Sequence, residues 1–404
     1  MAVKKIGILT SGGDCGGLNA VIHGAALTAL AKNIDLYIIP NGYAGLYNLK
    51  DFDSLLKLDA KKIEDDVPVF LAGSEAGNSR VKIGKIKDDN KYTRIKEGLE
   101  KFQLDAILIA GGDDTGSVVV DLSERGIPCI HLPKTMDLDL MTYSVGGDSA
   151  INRIAEFLRD LRTTGHTHNR IIVLEVFGRY AGHTAFRGGI AGGADAVLIP
   201  EVAVDFDVLY EFVKKLYFRR LNESDVKASS VMIVVAEGLK DSSGKELVDE
   251  SIPPDAFGHR KLMGAGVYVV KQLESRMKAD PDVKAELKKH GIFVESIYEI
   301  PEIREVRPGH LVRSGFTTAY DANFGIEVGA AAVHLATSDI FGVTVVSYRE
   351  GVIEYMAVKE AIVQRHVAVN SVALYESMGI CFGRKATTFK PEMLKISGKP
   401  IRPY

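Results

Sequence analysis

Three stretches of the chain set glycine, carboxylate and amine groups directly after short apolar runs. The first, Thr10-Ser11-Gly12-Gly13-Asp14-Cys15-Gly16-Gly17-Leu18-Asn19, follows the run Lys5–Leu9. Glycines there bare backbone N–H groups, and the dipole of a following helix adds positive potential, so the loop suits a phosphate. A tight turn without a ligand is the other reading. No Gly-Lys-Ser/Thr follows as in a Walker A loop, and the spacing departs from G-x-G-x-x-G.

The second stretch, Gly111-Gly112-Asp113-Asp114-Thr115, follows Leu104–Ala110. Adjacent carboxylates repel unless a cation sits between or beside them. Mg²⁺ takes one or two carboxylates and completes its shell with phosphate oxygens and water, and Asp113 could supply the carboxylate. Capping of the next helix by Asp114 or Thr115 is the alternative. The third stretch, Pro133-Lys134-Thr135-Met136-Asp137-Leu138-Asp139, follows Ile127–Leu132. In an extended loop Asp137 and Asp139 share one side while Leu138 faces away. Two carboxylates and Lys134 then border one pocket, which suits a general base beside a metal or substrate contact, with the amine holding an anion. Solvated surface charge is the competing reading.

These loops need elements to hold them. Lys5–Leu9, Ile34–Ile39, Leu104–Ala110, Ile127–Leu132, Ile171–Val176, Ala196–Ile199 and Val231–Ala236 read as buried strands. Helical segments lie between them. In Gly147–Arg162, residues Ile151, Ile154, Ala155, Leu158 and Leu161 share one face, and Arg153, Glu156, Arg159 and Asp160 the other. Such alternation specifies an α/β fold with parallel sheet covered on both sides. Ser314–Thr337 reads as a small-residue-rich helix and Gly342–Glu354 as a hairpin, and the chain divides near residue 147. Ligands of open parallel sheets sit beyond the carboxyl ends of the strands, where the three loops fall.

Composition narrows the function classes. The 404 residues carry 50 basic and 53 acidic side chains, a formal net charge of −3, with 46% hydrophobic residues. That balance disfavours disorder and a nucleic-acid partner. Cys15, Cys129 and Cys381 have neither the spacing of a zinc site nor the even count of a disulfide framework. No apolar run reaches the roughly 18 residues of a spanning helix, and the N-terminus has no signal-peptide core, so the expectation is a cytoplasmic protein without a membrane partner.

Taken together and in order, Gly12-Gly13-Asp14, Gly111-Gly112-Asp113-Asp114 and Pro133-Lys134-Thr135-Met136-Asp137 resemble the phosphofructokinases. So do Asn41-Gly42-Tyr43-Ala44-Gly45-Leu46, Glu175-Val176-Phe177-Gly178-Arg179-Tyr180-Ala181-Gly182, Glu237-Gly238 and Pro308-Gly309-His310-Leu311-Val312-Arg313. The resemblance runs from Ile6 to about Gly342, and it implies two Rossmann-like parallel-sheet domains with the active site between them. Residues 1–147 plus 312–360 would bind the phosphoryl donor and Mg²⁺, and 148–311 plus 361–404 would bind fructose 6-phosphate. The resemblance implies phosphoryl transfer to the sugar's 1-hydroxyl, with Asp137 as base, Thr135 on the transferring group, and Gly12 and its neighbours stabilising charge. It assigns Asp113 to Mg²⁺ and Asp139 to positioning sugar and metal. Gly13, Tyr43 and Arg80 would lie by the donor. Arg170, Arg304, His310 and Arg313 match the cluster on the 6-phosphate, with Phe177, Gly178, Arg179 and Glu237 against the sugar ring. The matches to Arg170 and Arg304 come from a neighbouring subunit, which implies a homodimer or homotetramer.

Asp114 and Lys134 stand where ATP-using relatives have glycine. A carboxylate where the α-phosphate of ATP must pass gives a clash and like-charge repulsion, and the amine suits the terminal charge of inorganic pyrophosphate. Both substitutions resemble the pyrophosphate-dependent branch. Leu138 stands where the family usually has Asn, which predicts a loosened loop, and Phe177 where Met is commoner.

Overall fold

In a computed structural model of the chain, residues 3–395 and 397 are described, apart from 242, 248–252, 254–261 and 263. The short Val- and Ile-rich runs form strands because β-branched side chains pack well on a pleat covered from both faces. In chain order they are β1 Lys5–Thr10, β2 Asp35–Ile38, β3 Leu56–Lys57, β4 Ala106–Gly111, β5 Cys129–Pro133, β6 Ile171–Val176, β7 Ala196–Leu198, β8 Val231–Ala236, β9 Ile303–Val306, β10 Val343–Arg349 and β11 Val352–Ala357. Each of the seven runs expected as strands is one, with β10 and β11 forming the expected hairpin. The short β3 and the charged β9, Ile-Arg-Glu-Val, carry no such signal.

Two sheets result. A seven-stranded sheet has the order β11-β10-β5-β4-β1-β2-β3, and a four-stranded sheet the order β7-β8-β6-β9. In the large sheet β10, β5, β4, β1 and β2 run parallel, with β11 and β3 antiparallel at the edges. The small sheet is parallel throughout. From β1 the chain first builds outward to β2, then returns to add β4 on the other side. That reversal opens a crevice at the carboxyl ends of β1 and β4, between the first two glycine loops. The ends of β6 and β8 carry Phe177 to Arg179 and Glu237. Strands β4, β6 and β8 are buried from end to end, and a single apolar cluster continues from one sheet to the other.

The helix expected over Ser314–Thr337 begins at Ala319, where Thr318 caps it by accepting from the Asp321 N–H. It crosses the helix Leu18–Ala31 at close range because both present glycine at the contact. A Cβ on Gly329 would lie 2.1 Å from the Val21 carbonyl oxygen, and one on Gly24 2.1 Å from that of Ile326. This crossing seats the helix that follows the first glycine loop, so it fixes that loop's exit. Gly329→Leu is expected to cost about 1–3 kcal/mol through overpacking against backbone, read as a lowered Tm. The same change at exposed Gly84, where a Cβ meets nothing within 4 Å, should be near neutral.

Candidate active site

The carboxyl ends of both sheets converge on a cavity of about 450 Å³. It gathers Gly12, Gly13, Arg80, Asp113, Asp114, Lys134, Thr135, Asp137, Asp139, Phe177, Arg179, Glu237, His310 and Arg313. Residues from seven separate stretches of sequence thus face one space. Gly178 lies in the wall next to them with φ 135°, a conformation open to glycine, and a Cβ there would lie 2.8 Å from the Ala181 carbonyl oxygen.

Three of the expected residues are elsewhere. Tyr43 does not border the cavity: it is 1% exposed, packed in the core beneath it, and its hydroxyl donates to the Thr115 carbonyl at 2.8 Å. Its ring gains more from apolar burial than from a polar crevice, and its hydroxyl supports the second glycine loop from behind. Arg170 and Arg304 also stand outside this cavity. Both are bound by Glu302, Arg170 Nε at 2.5 Å and Arg304 Nε at 2.6 Å.

At the glycine-loop end, Lys134 is 4% exposed and its ammonium donates to the Gly13 carbonyl. Burial lowers its pKa, because a charge out of water is costly, and the Cys15 thiol partly opposes this. Gly12 takes φ 85°, which turns the loop so that Lys134 and Thr115 pass close by. Asp113 and Asp114 occupy the first turn of helix Asp113–Glu124, where the dipole favours negative charge. The helix-capping reading of Asp114 and Thr115 is not what the structure holds. Gly112 is the N-cap without a side-chain bond, and Asp114 instead pairs with Lys82 at 3.1 Å. Lys82 had no motif to mark it in the sequence.

The third loop differs from the extended form its spacing suggests. Leu138 has φ 56°, in the left-handed region, so the chain turns there and the alternation of faces fails. For a residue other than glycine that costs about 1–2 kcal/mol. Both carboxylates still reach the cavity, while Leu138 packs into the space beside Gly147, where a Cβ would lie 2.2 Å from Leu138 Cδ2. The expected loosening is therefore met by apolar packing. Thr135 Oγ1 donates to Asp139 Oδ1 at 3.2 Å and accepts from the Asp137 N–H at 3.1 Å. Asp137 Oδ1 is buried with no hydrogen-bond partner among the described residues. Burial raises the Asp137 pKa, Arg313 pulls it back, and Asp113 raises it further. Asp139 is pushed up to about 7 by burial, then by Asp137 and Asp113, and Glu237 to about 7 by burial and by Asp137.

At the other end, Phe177 carries the Arg313 guanidinium 4.6 Å above its ring and meets the His310 ring edge-on at 5.9 Å. Phe177 thereby orients the Arg313 guanidinium and the His310 ring. The sequence also gave no sign of Asp321. Its buried carboxylate accepts from Tyr143 Oη at 2.7 Å, Gly146 N at 3.0 Å, Ser149 N at 2.7 Å and Ser149 Oγ at 2.6 Å. It caps helix Gly147–Thr167 from a distant segment, since Gly146 offers no side chain to do so.

Among the described residues no cluster of three His, Cys, Asp or Glu could hold a metal by itself. The crowded carboxylates and the orphaned Asp137 oxygen fit a hard cation that arrives with its own phosphate oxygens. Without ligands the same crowding works against the fold. Asp139 and Glu237 have folded pKa values above their ordinary ones of 3.8 and 4.5. Their contribution to stability is therefore full below about pH 4 and lost as pH rises through about 7. Thermal melts of ligand-free protein should show Tm falling between pH 5 and 8, and Asp139→Asn should flatten that slope and raise Tm at pH 8.

Residues 5–336 match the family model for phosphofructokinase. The chain is 33% identical over 337 residues to a pyrophosphate–fructose 6-phosphate 1-phosphotransferase of Dictyoglomus thermophilum, covering 83% of this chain and 87% of the relative. It is 34% identical over 358 residues to ATP-dependent 6-phosphofructokinase 2 of Clostridium perfringens, covering 84% and 87%. The fold is that of the pyrophosphate-dependent phosphofructokinase structure from Marinobacter aquaeolei, with a TM-score of 0.69 at 18% identity, covering 98% of this chain and 100% of that one. With its glycine loops, its Pro-Lys-Thr-Met-Asp turn and its arginine-lined far wall in one cavity, this chain belongs to the phosphofructokinase family.

Proposed function

We propose that the protein transfers a phosphoryl group reversibly between inorganic pyrophosphate and the 1-hydroxyl of fructose 6-phosphate. The observation that carries the choice of donor is the pair at the glycine-loop end of the cavity, Asp114 beside Gly112 and Lys134 on the Gly13 carbonyl. A nucleotide would bring its α-phosphate against the Asp114 carboxylate, whereas pyrophosphate ends before it and gains the Lys134 charge. The ATP-named relatives at similar identity make ATP the second reading.

In the forward direction the sugar hydroxyl gives its proton to Asp137 as its oxygen bonds to the transferring phosphorus and the bridging P–O bond breaks, releasing phosphate. The unpartnered Asp137 oxygen is the acceptor available for that proton, and burial, which raises the pKa of this carboxyl, makes it a stronger base than an exposed one. Thr135, Lys134 and the N–H groups around Gly12 would bear on the charge spread over the phosphoryl oxygens. Mg²⁺ held by Asp113 would neutralise donor oxygens. Asp139 and Glu237 would hold the sugar, with Phe177, Gly178 and Arg179 along its ring and His310 and Arg313 at its phosphate; Gly13 and Arg80 would flank the donor.

Arg170 and Arg304, held by Glu302 away from this cavity, would complete the 6-phosphate site of a second copy, making a homodimer or homotetramer the working unit. Within each chain, 1–147 plus 312–360 would form the donor domain and 148–311 plus 361–404 the sugar domain, in a cytoplasmic enzyme.

A coupled assay of fructose 1,6-bisphosphate formation should give turnover with Mg²⁺ and pyrophosphate and little with ATP; the reverse order would overturn the donor assignment. Changing Asp114 and Lys134 together to Gly should raise ATP use at the expense of pyrophosphate. Asp137→Ala should lower kcat by about 10²- to 10⁴-fold with the Tm little changed. Mixing Asp137→Ala chains with Arg304→Ala chains, each inactive alone, should restore part of the activity if the sugar site is shared between copies.

A further inference from the structure

Residues 361–367 lie beyond the part of the chain that matches the phosphofructokinase model, and their sequence carries no motif. They form the connection from β11, at the edge of the large sheet, toward Cys381, which bridges to β7 of the small sheet. On the way they cross two loops that line the cavity.

On one side the Met141 N–H donates to the Ala361 carbonyl at 3.1 Å and the Arg365 N–H donates to the Asp139 carbonyl at 2.7 Å. Arg365 Nη2 donates to the Leu138 carbonyl at 2.8 Å. On the other side His183 Nε2 donates to the Arg365 carbonyl at 3.0 Å, and His366 Nδ1 to that of Tyr180 at 3.1 Å. The strap therefore grips the turn bearing Asp137 and Asp139 and, through Tyr180, the opposite wall.

Leu138 is the reason that grip matters. A left-handed residue is usually glycine, or Asn or Asp whose short polar side chain can bond to nearby backbone. Leucine has no such group. Its packing beside Gly147 fixes the side chain, but the plane of the peptide that follows is set by what its carbonyl oxygen accepts, and that donor is Arg365.

We propose that Arg365 is a positioning residue for phosphoryl transfer: its guanidinium and N–H hold the Leu138 and Asp139 carbonyls and so fix the turn that aims Asp137 and Asp139 into the cavity. This rests on phosphoryl transfer occurring here, but not on which donor is used. Displacing the base by a fraction of an ångström is enough to slow the reaction while the substrates still bind.

The test compares wild type, Arg365→Met, which keeps the stem but no donor, and Arg365→Lys, which restores one donor, each assayed with pyrophosphate and with ATP. Arg365→Met should lose about 10-fold or more in kcat, with KM for fructose 6-phosphate and Tm little changed and the pH profile of kcat shifted, and Arg365→Lys should recover part of the loss. Adding Leu138→Asn to Arg365→Met should also recover activity, because Asn supports the left-handed turn from its own side chain. Wild-type kcat in Arg365→Met, or a loss that only tracks the unfolded fraction, overturns the proposal. If Arg365→Met does not fold, the milder Arg365→Gln decides by the same criteria. A wild-type protein inactive with both donors would instead overturn phosphoryl transfer itself, which keeps the two failures apart.

Discussion

Asp113, Asp137 and Asp139 share one cavity, and their mutual repulsion is the constraint around which the site is built. Left to themselves, carboxylates so placed would turn outward or take up protons. They are kept facing inward by the groups packed around them. Thr135 spans the turn between two of them, Leu138 is locked against Gly147, and Arg313, Lys134 and Arg179 stand close enough to draw the Asp137 pKa down against its burial. A hard cation entering such a cavity would relieve charge that the protein has already concentrated.

That concentration is possible because the carboxylates sit on rigid supports. Asp113 begins a helix whose dipole favours it, and Asp137 and Asp139 follow a strand buried along its whole length. Behind these lies a second set of polar groups: His131, fully buried and bonded to the Gly111 carbonyl and Thr344, and Asp321 on the Tyr143–Ser149 turn. Burial drives the His131 pKa down to about 4, so it remains a neutral strut near pH 7. The second wall brings Arg179 from the end of β6 and Arg313 from the segment after β9, beside Glu237 from the end of β8.

Much of this was legible in the sequence because it is local. Runs such as Ile171–Val176 and Val231–Ala236 announce themselves as doubly covered strands, and a glycine loop after such a run points to the carboxyl edge of a parallel sheet whatever else the chain does. What misled was local too. The alternation argument for Asp137 and Asp139 assumed an extended backbone, and a single left-handed residue at Leu138 cancels it. Tyr43 sits in a motif that faces the donor in relatives, yet its hydroxyl reaches Thr115 only because the neighbouring helix packs above it.

By itself, then, the sequence determined the class of fold and which residue types crowd the three loops, since these follow from periodicity, glycine placement and short-range spacing, and its motifs carried the resemblance to the family. Tertiary structure alone decided which charges meet: Lys82 with Asp114, Glu302 with Arg170 and Arg304, Asp321 with the start of a helix more than a hundred residues earlier, and Arg365 with the turn at Leu138. Those pairings join segments far apart in the chain, and their partners have no fixed spacing. Electrostatic and hydrogen-bond energies depend on distance in space, a quantity that exists only once the sheets have stacked.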